Sequence, residues 1–405
     1  MLAFLWIVAV LHLGFVFTEL PRHAKGLDFS IYYVAADAAH RGINPYTADL
    51  ISIGDKLGVE VRPLPHIAET PFLLLCFQPL TLLGPVGAYW TWFGINIAAL
   101  VAAMILLMRS VGPGAATLGG VMLLYPPLVE NFMWAQTQIV ILLMLALMLY
   151  WLERGDDAAA GLILAAAGAM RAYPLAMAGY LLLRQRWRAL VFMVAGLTLI
   201  GFATLLFFGW SICFSFVRGA LFAIEYQFAA VPKDISISGF VSRIFWYSMG
   251  PRLPFSIELL RHLLIVAADL AILALTVRAT LASSGTRAFS LWIATAIMLS
   301  PLAWLHYLVL MFILFAQLAI GANRNECSTR AGWAIVASYL SIGALNKLMD
   351  LTPSNEMLFL WIGECYFLPL MLAYLSAYWL TTDIVASALP DTETLTPTVL
   401  GSARA

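Results

Sequence analysis

The chain has 405 residues, 62% hydrophobic and 11% charged, with 22 basic and 22 acidic side chains giving a formal net charge of zero. Soluble domains carry roughly a quarter charged residues to solvate their surface, so a soluble globule is excluded, and the neutral balance offers no footprint for nucleic acid. Cys76, Cys213, Cys327 and Cys365 stand apart without CxxC or Cys/His spacing, which favours buried thiols over a zinc or disulfide framework.

A membrane-spanning helix needs about 20 apolar residues. Residues 2–20 are apolar and lack a basic n-region and a small-residue cleavage site, which predicts a first span rather than a removed signal. Further apolar runs lie at 87–108, 114–128, 135–151, 158–170, 173–184, 189–209, 257–279, 288–302, 305–322, 331–347 and 358–382. Another, 71–84, begins at Pro71 and ends at Gly84-Pro85. The positive-inside rule puts Arg109, Arg154, the Arg184–Arg188 cluster, Arg278 with Arg287, and Arg324 with Arg330 in the cytoplasm. Arg22 and Lys25 count against that orientation, but the five internal loops outvote them.

The result is an all-α, polytopic bundle of about twelve spans, with both termini cytoplasmic in the plasma (inner) membrane. It holds only if 71–84 does not cross but forms a re-entrant or interfacial helix in a long first external segment, 21–86. Residues 1–382 form a single transmembrane domain, and the small, polar stretch 383–405 is expected to be a disordered cytoplasmic tail. Segments 21–86, 129–135, around 171, 210–256, 300–306 and 348–357 then share the outer face.

The polar residues that hydropathy leaves unexplained lie in several of these segments. Asp28 opens an aromatic, amphipathic stretch that Gly42 and Asn44-Pro45 terminate, as a helix at the interface would require. Its carboxylate either caps that helix or does chemistry just outside the hydrocarbon. Gln136, in Trp134-Ala135-Gln136-Thr137-Gln138, could bind sugar hydroxyls or pair with neighbouring helices. Arg171 sits between two short apolar helices, where the cost of burying a guanidinium demands a specific partner, either a carboxylate or a phosphate. The loop Pro232–Arg243 mixes hydroxyls, Gly and Arg in the manner of a phosphate or sugar cradle, and of many ordinary loops. Trp304 and His306 fit an interfacial aromatic belt.

Taken in order, these segments resemble glycosyltransferase family 87 of the GT-C superfamily, integral membrane enzymes that use polyprenyl-phosphate sugars. The matching pieces are Asp28-Phe29-Ser30-Ile31-Tyr32-Tyr33, Gly42-Ile43-Asn44-Pro45-Tyr46, Pro71-Phe72, Gln78-Pro79-Leu80 and Gln136. They continue from Gly161 through Met170-Arg171 and Pro174 to the Arg184–Arg188 cluster, then Ser236–Arg243 and Ser300–His306, covering roughly residues 25–310. The family typically has Lys where Arg171 stands, often Asn-Gln where this chain has Asp234-Ile235, and usually Gly before the glutamine where this chain has Ala135.

The resemblance implies a GT-C fold, a periplasmic-face active site and an inverting mechanism with Asp28 as general base. It further implies that Arg171, Arg243, His306, Gln136, Ser236 and Tyr33 hold the phosphate or sugar of the donor. The partners implied are a polyprenyl-phosphate-linked sugar, mannose before arabinose or another sugar, a lipid- or glycan-linked acceptor, and membrane lipids. A phosphate leaving group needs no paired acid carboxylate, unlike glycoside hydrolysis. The chain has no dense carboxylate cluster for a divalent metal, so neither metal nor cofactor is expected. A lipid-linked sugar flippase is the alternative, but it predicts inverted repeats that the chain lacks.

Overall fold

The structure, a computed structural model, describes residues 2–23, 28–62, 67, 69–109, 111, 115–220, 231–249, 253–323, 329–351 and 356–388. Lys25, Arg324 and residues 389–405 lie outside the described residues, while residues 383–388 of the stretch expected to be a disordered tail continue the last helix. The first helices are α1 (Leu2–His23), α2 (Asp28–His40), α3 (Leu50–Leu57), α4 (Pro71–Thr81), α5 (Gly84–Met108) and α6 (Ala115–Leu123). Next come α7 (Pro126–Met133), α8 (Gln138–Glu153), α9 (Asp157–Met170), α10 (Met177–Leu183) and α11 (Trp187–Ser215). The remainder are α12 (Ile237–Met249), α13 (Phe255–Ala282), α14 (Phe289–Met298), α15 (Phe312–Asn323), α16 (Thr329–Leu351), α17 (Glu356–Cys365) and α18 (Phe367–Ala388). Among the described residues there is no strand, only an isolated antiparallel bridge between Asp234 and Trp304.

Every apolar run is helical, with its ends adjusted by local chemistry. The run 114–128 divides before Pro126, which occupies the first turn of α7. The run 173–184 opens as a 3-10 turn, Tyr173–Ala176, because Pro174 cannot donate to the Met170 carbonyl and its ring crowds it. The run 305–322 likewise begins with a 3-10 segment, Leu305–Met311. Among the described residues, four helices are long and apolar enough to cross a membrane: Gly84–Met108, Trp187–Gly219, Phe255–Ala282 and Leu305–Asn323. α4 has 11 residues, a rise of about 16 Å against about 30 Å of hydrocarbon.

Close approach of backbones organises the bundle. α9 lies on α11 through glycines: a Cβ on Gly161 would stand 2.1 Å from the Ala189 carbonyl oxygen, and one on Gly196 2.7 Å from the Ala165 Cβ. Small residues give membrane helices the van der Waals contact that replaces a hydrophobic driving force. The outer side of α11 is left apolar and exposed, with Val191, Leu199, Phe202, Leu206 and Trp210 at its surface.

α2 departs from the amphipathic interfacial helix expected of the sequence. Residues Phe29 through Ala39 are all buried, so the helix is enclosed rather than laid on a surface. Its aromatic side chains explain the burial: Phe77 of α4 packs against Tyr32 at 5.3 Å, Phe29 at 6.1 Å and Trp92 of α5 at 4.7 Å. The Gln78 amide donates to the Ala36 carbonyl at 2.7 Å and fastens α4 to α2. The predicted stop holds, since α2 ends at His40 and Gly42 takes a left-handed φ of 74°.

Candidate active site

Six stretches of chain line a cavity of about 200 Å³, and four arrangements build its wall. The first is the opening turn of α2. Asp28, Ile31 and Tyr32 fall at i, i+3 and i+4, the positions that share a helix face, and all three line the cavity. Tyr33, one residue further, points away and donates to the Thr81 carbonyl at 3.4 Å.

The second segment is the turn between α7 and α8. Ala135 adopts a φ of 51°, and its carbonyl accepts from the Trp92 indole at 2.8 Å. The Gln136 backbone N–H reaches the Asn131 carbonyl at 2.9 Å. Held at both ends, Gln136 directs its side-chain amide at the Asp28 carboxylate and donates to it.

The third segment is the break after α9. Arg171 caps that helix in an extended conformation, beside Thr70, whose hydroxyl caps α4 and donates to the Ala169 carbonyl at 2.7 Å. Arg171 Nη2 donates to the Tyr32 hydroxyl at 2.9 Å, while its Nε donates to Thr137 Oγ1 at 3.4 Å. The nearest carboxylate to its guanidinium is Glu69, at 3.7 Å. Glu69 is itself positioned by Tyr46, whose hydroxyl donates to its carbonyl at 2.7 Å.

The fourth is a pair of loops zipped together. Ile235 N–H donates to the Ala303 carbonyl at 2.7 Å, and Ala303 N–H returns to Asp234 Oδ1 at 3.0 Å. This docking sets Lys233, Trp304, His306 and Tyr307 in the cavity wall, where Lys233 pairs with Glu130 at 3.5 Å. His306 Nε2 is buried and finds no hydrogen-bond partner among the described residues.

Of the residues singled out in the sequence, Asp28, Gln136, Arg171 and His306 therefore come together. Arg243, Ser236 and Tyr33 do not line the cavity. Arg243 is fully buried beneath the loop, with Nη1 donating to the Val231 and Asp234 carbonyls at 3.0 and 2.7 Å and Nε 3.5 Å from Glu364. Ser236 caps α12, its hydroxyl accepting from Gly239 N–H at 2.9 Å. Gly239 is required there, because a Cβ would stand 2.4 Å from the Asp234 carboxyl carbon.

The cavity also holds residues that sequence reasoning passed over: Tyr32, Arg62, Glu69, Glu130, Trp134, Lys233 and Tyr307. Arg62 lies over the Trp134 ring at 4.4 Å. Three carboxylates (Asp28, Glu69, Glu130) thus face three cations (Arg62, Arg171, Lys233). An anion that engages Arg171 or Lys233 must compete with Glu69 or Glu130, whereas a neutral hydroxyl meets acceptors already in place. Burial raises the Asp28 carboxyl well above its ordinary value, to about 6, reinforced by Glu69 and opposed by Arg171, Arg62 and the Gln136 bond. A carboxylate poised near neutrality suits proton abstraction. Among the described residues no cluster of His, Cys, Asp and Glu could hold a metal ion.

A family model described as glycosyltransferase family 87 matches residues 69–301, more than half of the chain. The chain belongs to glycosyltransferase family 87. It is a glycosyltransferase, and the family 87 match takes in Glu69, Glu130, Gln136, Arg171 and Lys233, while Asp28 and His306 fall outside it. No curated protein sequence matches the chain. Among solved structures, this family 87 chain is similar to ArnT from Cupriavidus metallidurans in the apo state. The TM-score is 0.38 at 14% identity, over 95% of this chain and 77% of that one.

Proposed function

We propose that this family 87 enzyme transfers a sugar, mannose before others, from a polyprenyl-phosphate donor to a hydroxyl of a lipid- or glycan-linked acceptor, with inversion. The observation that carries the proposal is the convergence of Asp28 and Arg171 on one cavity, joined through Tyr32 and Gln136. Asp28 is the general base. The acceptor oxygen attacks the anomeric carbon, its proton passes to the Asp28 carboxylate, and the carbon–oxygen bond to phosphate breaks with its electron pair leaving on the phosphate oxygen. The products are a glycoside of inverted configuration and polyprenyl phosphate.

Arg171 stabilises the charge that collects on the departing phosphate, helped by Lys233 and Arg62 on the same wall. A bidentate guanidinium suits this role, with the phosphate replacing Glu69 as its anionic partner. His306, with a buried nitrogen unpaired among the described residues, is placed to hydrogen-bond the donor. The cavity has room for on the order of seven waters, the scale of one sugar ring and its phosphate.

The same proposal carries the GT-C arrangement: about twelve spans, termini in the cytoplasm, and the cavity at the outer face. A second cavity at the other end of α5 and α8, with Arg109 and Arg154 in its wall, supports that polarity through the positive-inside rule. α4, too short to cross unaided, lies beside the cavity as a re-entrant helix along which a polyprenyl tail can run.

Purified protein in detergent, given radiolabelled polyprenyl-phosphate sugars, should yield a glycosylated acceptor whose anomeric configuration by NMR is opposite to the donor's. No transfer from any donor in detergent, with lipid-linked sugar crossing sealed liposomes instead, would contradict it.

A further inference from the structure

Three hydrogen bonds run in one direction from the cation of the site to its carboxylate. Arg171 Nη2 donates to the Tyr32 hydroxyl at 2.9 Å. The Tyr32 hydroxyl donates to Gln136 Oε1 at 2.8 Å. Gln136 Nε2 donates to Asp28 Oδ2. Tyr32 is fully buried, so water does not compete for its single proton.

The polarity of this chain is not arbitrary. A tyrosine hydroxyl has one proton, and Arg171 can only donate. With its acceptor side taken by Arg171, Tyr32 must send its proton on to the Gln136 oxygen. That fixes which way the Gln136 amide faces, because an amide whose oxygen meets Tyr32 presents its NH2 to Asp28. Without the tyrosine hydroxyl the amide loses the partner of its oxygen, and only the bond to Asp28 itself is left to hold its orientation.

We infer that Tyr32 and Gln136 are positioning residues: Tyr32 orients the Gln136 amide, and Gln136 holds Asp28 ionised and aimed for proton abstraction from the acceptor. This rests on the proposal that Asp28 is the base. It departs from the expectation that Gln136 binds the donor sugar, and it gives work to Tyr32 rather than to its neighbour Tyr33. It also links the two halves of the reaction. Arg171 is both the phosphate cation and the head of the chain, so donor binding and base orientation act through one side chain.

Other titratable or charged groups line the same cavity as Asp28 from each packed element. They are Arg62 and Glu69 from the segment before α4, Glu130 from α7 and Arg171 after α9, with Lys233, His306 and Tyr307 from the two zipped loops. Removing the Tyr32 hydroxyl costs Arg171 one acceptor, whereas the Gln136 side-chain amide bonds only Tyr32 and Asp28, so Gln136→Leu isolates the chain's contribution at Asp28.

The test compares Tyr32→Phe, Gln136→Leu and the double variant with wild type in detergent. Turnover in both single variants is expected to fall roughly tenfold, and the acidic limb of the rate profile to move up by about one pH unit, the scale of one hydrogen bond lost from a carboxylate. In Gln136→Leu the donor KM should stay within about twofold of wild type. The double variant should match the weaker single variant, since both break one chain. An acidic limb that stays at the wild-type pH, or losses that multiply in the double variant, overturns the inference and leaves both residues as packing.

A second readout does not depend on catalysis. Infrared titration of the Asp28 carboxyl, isolated by subtracting the Asp28→Asn spectrum, should show the same upward movement in Tyr32→Phe. Movement in the infrared without transfer by wild type keeps the chain and removes the glycosyl-transfer proposal. Transfer by wild type without that movement removes the chain alone. Tyr32→Phe deletes one oxygen, so it carries the test even where Gln136→Leu fails to fold.

Discussion

Arg171 Nη2 lies 3.7 Å from Glu69 Oε1, so the cation assigned to the donor phosphate already faces a carboxylate, and a phosphate must displace it. Glu69→Gln keeps the shape and removes that competition. Donor KM is expected to fall several-fold. Glu69 also pushes the Asp28 carboxyl up, so its neutralisation lowers the pH at which the base protonates. The wild-type rate should fall as pH drops through about 6, and the Glu69→Gln profile should extend to lower pH. An unchanged donor KM together with an unmoved acidic limb would separate Glu69 from the site.

Arg171 and Arg243 carry the same charge and do different things. Arg171→Met should raise donor KM or abolish detectable donor binding while the protein remains folded. Arg243→Met leaves Glu364 without its cation and frees the Val231 and Asp234 carbonyls. Breaking such a buried pair costs about 3–5 kcal/mol. Thermal unfolding in detergent should therefore show the larger drop for Arg243→Met, with activity falling in step with the folded fraction. A folded Arg243→Met protein with selectively lost donor affinity would return Arg243 to the binding site.

The α9–α11 contact depends on backbone approach. Gly161→Val places a branched side chain where even a Cβ would be 2.1 Å from the Ala189 carbonyl oxygen. Overpacking of this kind typically costs about 1–3 kcal/mol. Because α9 ends at Arg171, both stability and donor binding are expected to suffer. An unfolding midpoint equal to wild type would show that the two helices part without cost.

Much of this was legible in the chain, for reasons that differ by element. The helices follow from the apolar runs, and Gly42 ends α2 as expected, while the break before Pro126 inside the run 114–128 and the 3-10 turn at Pro174 emerge only in the structure. That Asp28, Gln136, Arg171 and His306 meet was implied by their flanks and by family likeness rather than by spacing, since they come from segments far apart in sequence. Tyr32 was within reach of helical periodicity, because it is Tyr32 and not Tyr33 that stands four residues from Asp28.

The loop Pro232–Arg243 shows where sequence signals become ambiguous. Ser, Gly and Arg at short spacing serve a ligand or the loop itself equally well. Here Ser236 caps a helix, Gly239 makes room for the Asp234 carboxyl, and Arg243 ties down carbonyls. The residue this loop gives to the cavity is Lys233, an unremarked cation beside Pro232. Glu69 and Glu130 were hidden for a related reason: an acidic residue near a helix start or end reads as solvated until the fold closes over it. The burial of α2 was not visible either, because enclosure depends on α3, α4 and α5 packing against it.

The central claim is that Asp28 removes the acceptor proton. The most direct measurement is sugar transfer from a radiolabelled polyprenyl-phosphate donor by purified wild type beside Asp28→Asn, with donor binding measured on both. Turnover in Asp28→Asn is expected to fall by at least about 10²–10⁴-fold, the contribution of one general base, while donor affinity stays close to wild type. Full turnover in a folded Asp28→Asn protein would contradict the claim and reduce Asp28 to the first residue of a buried helix.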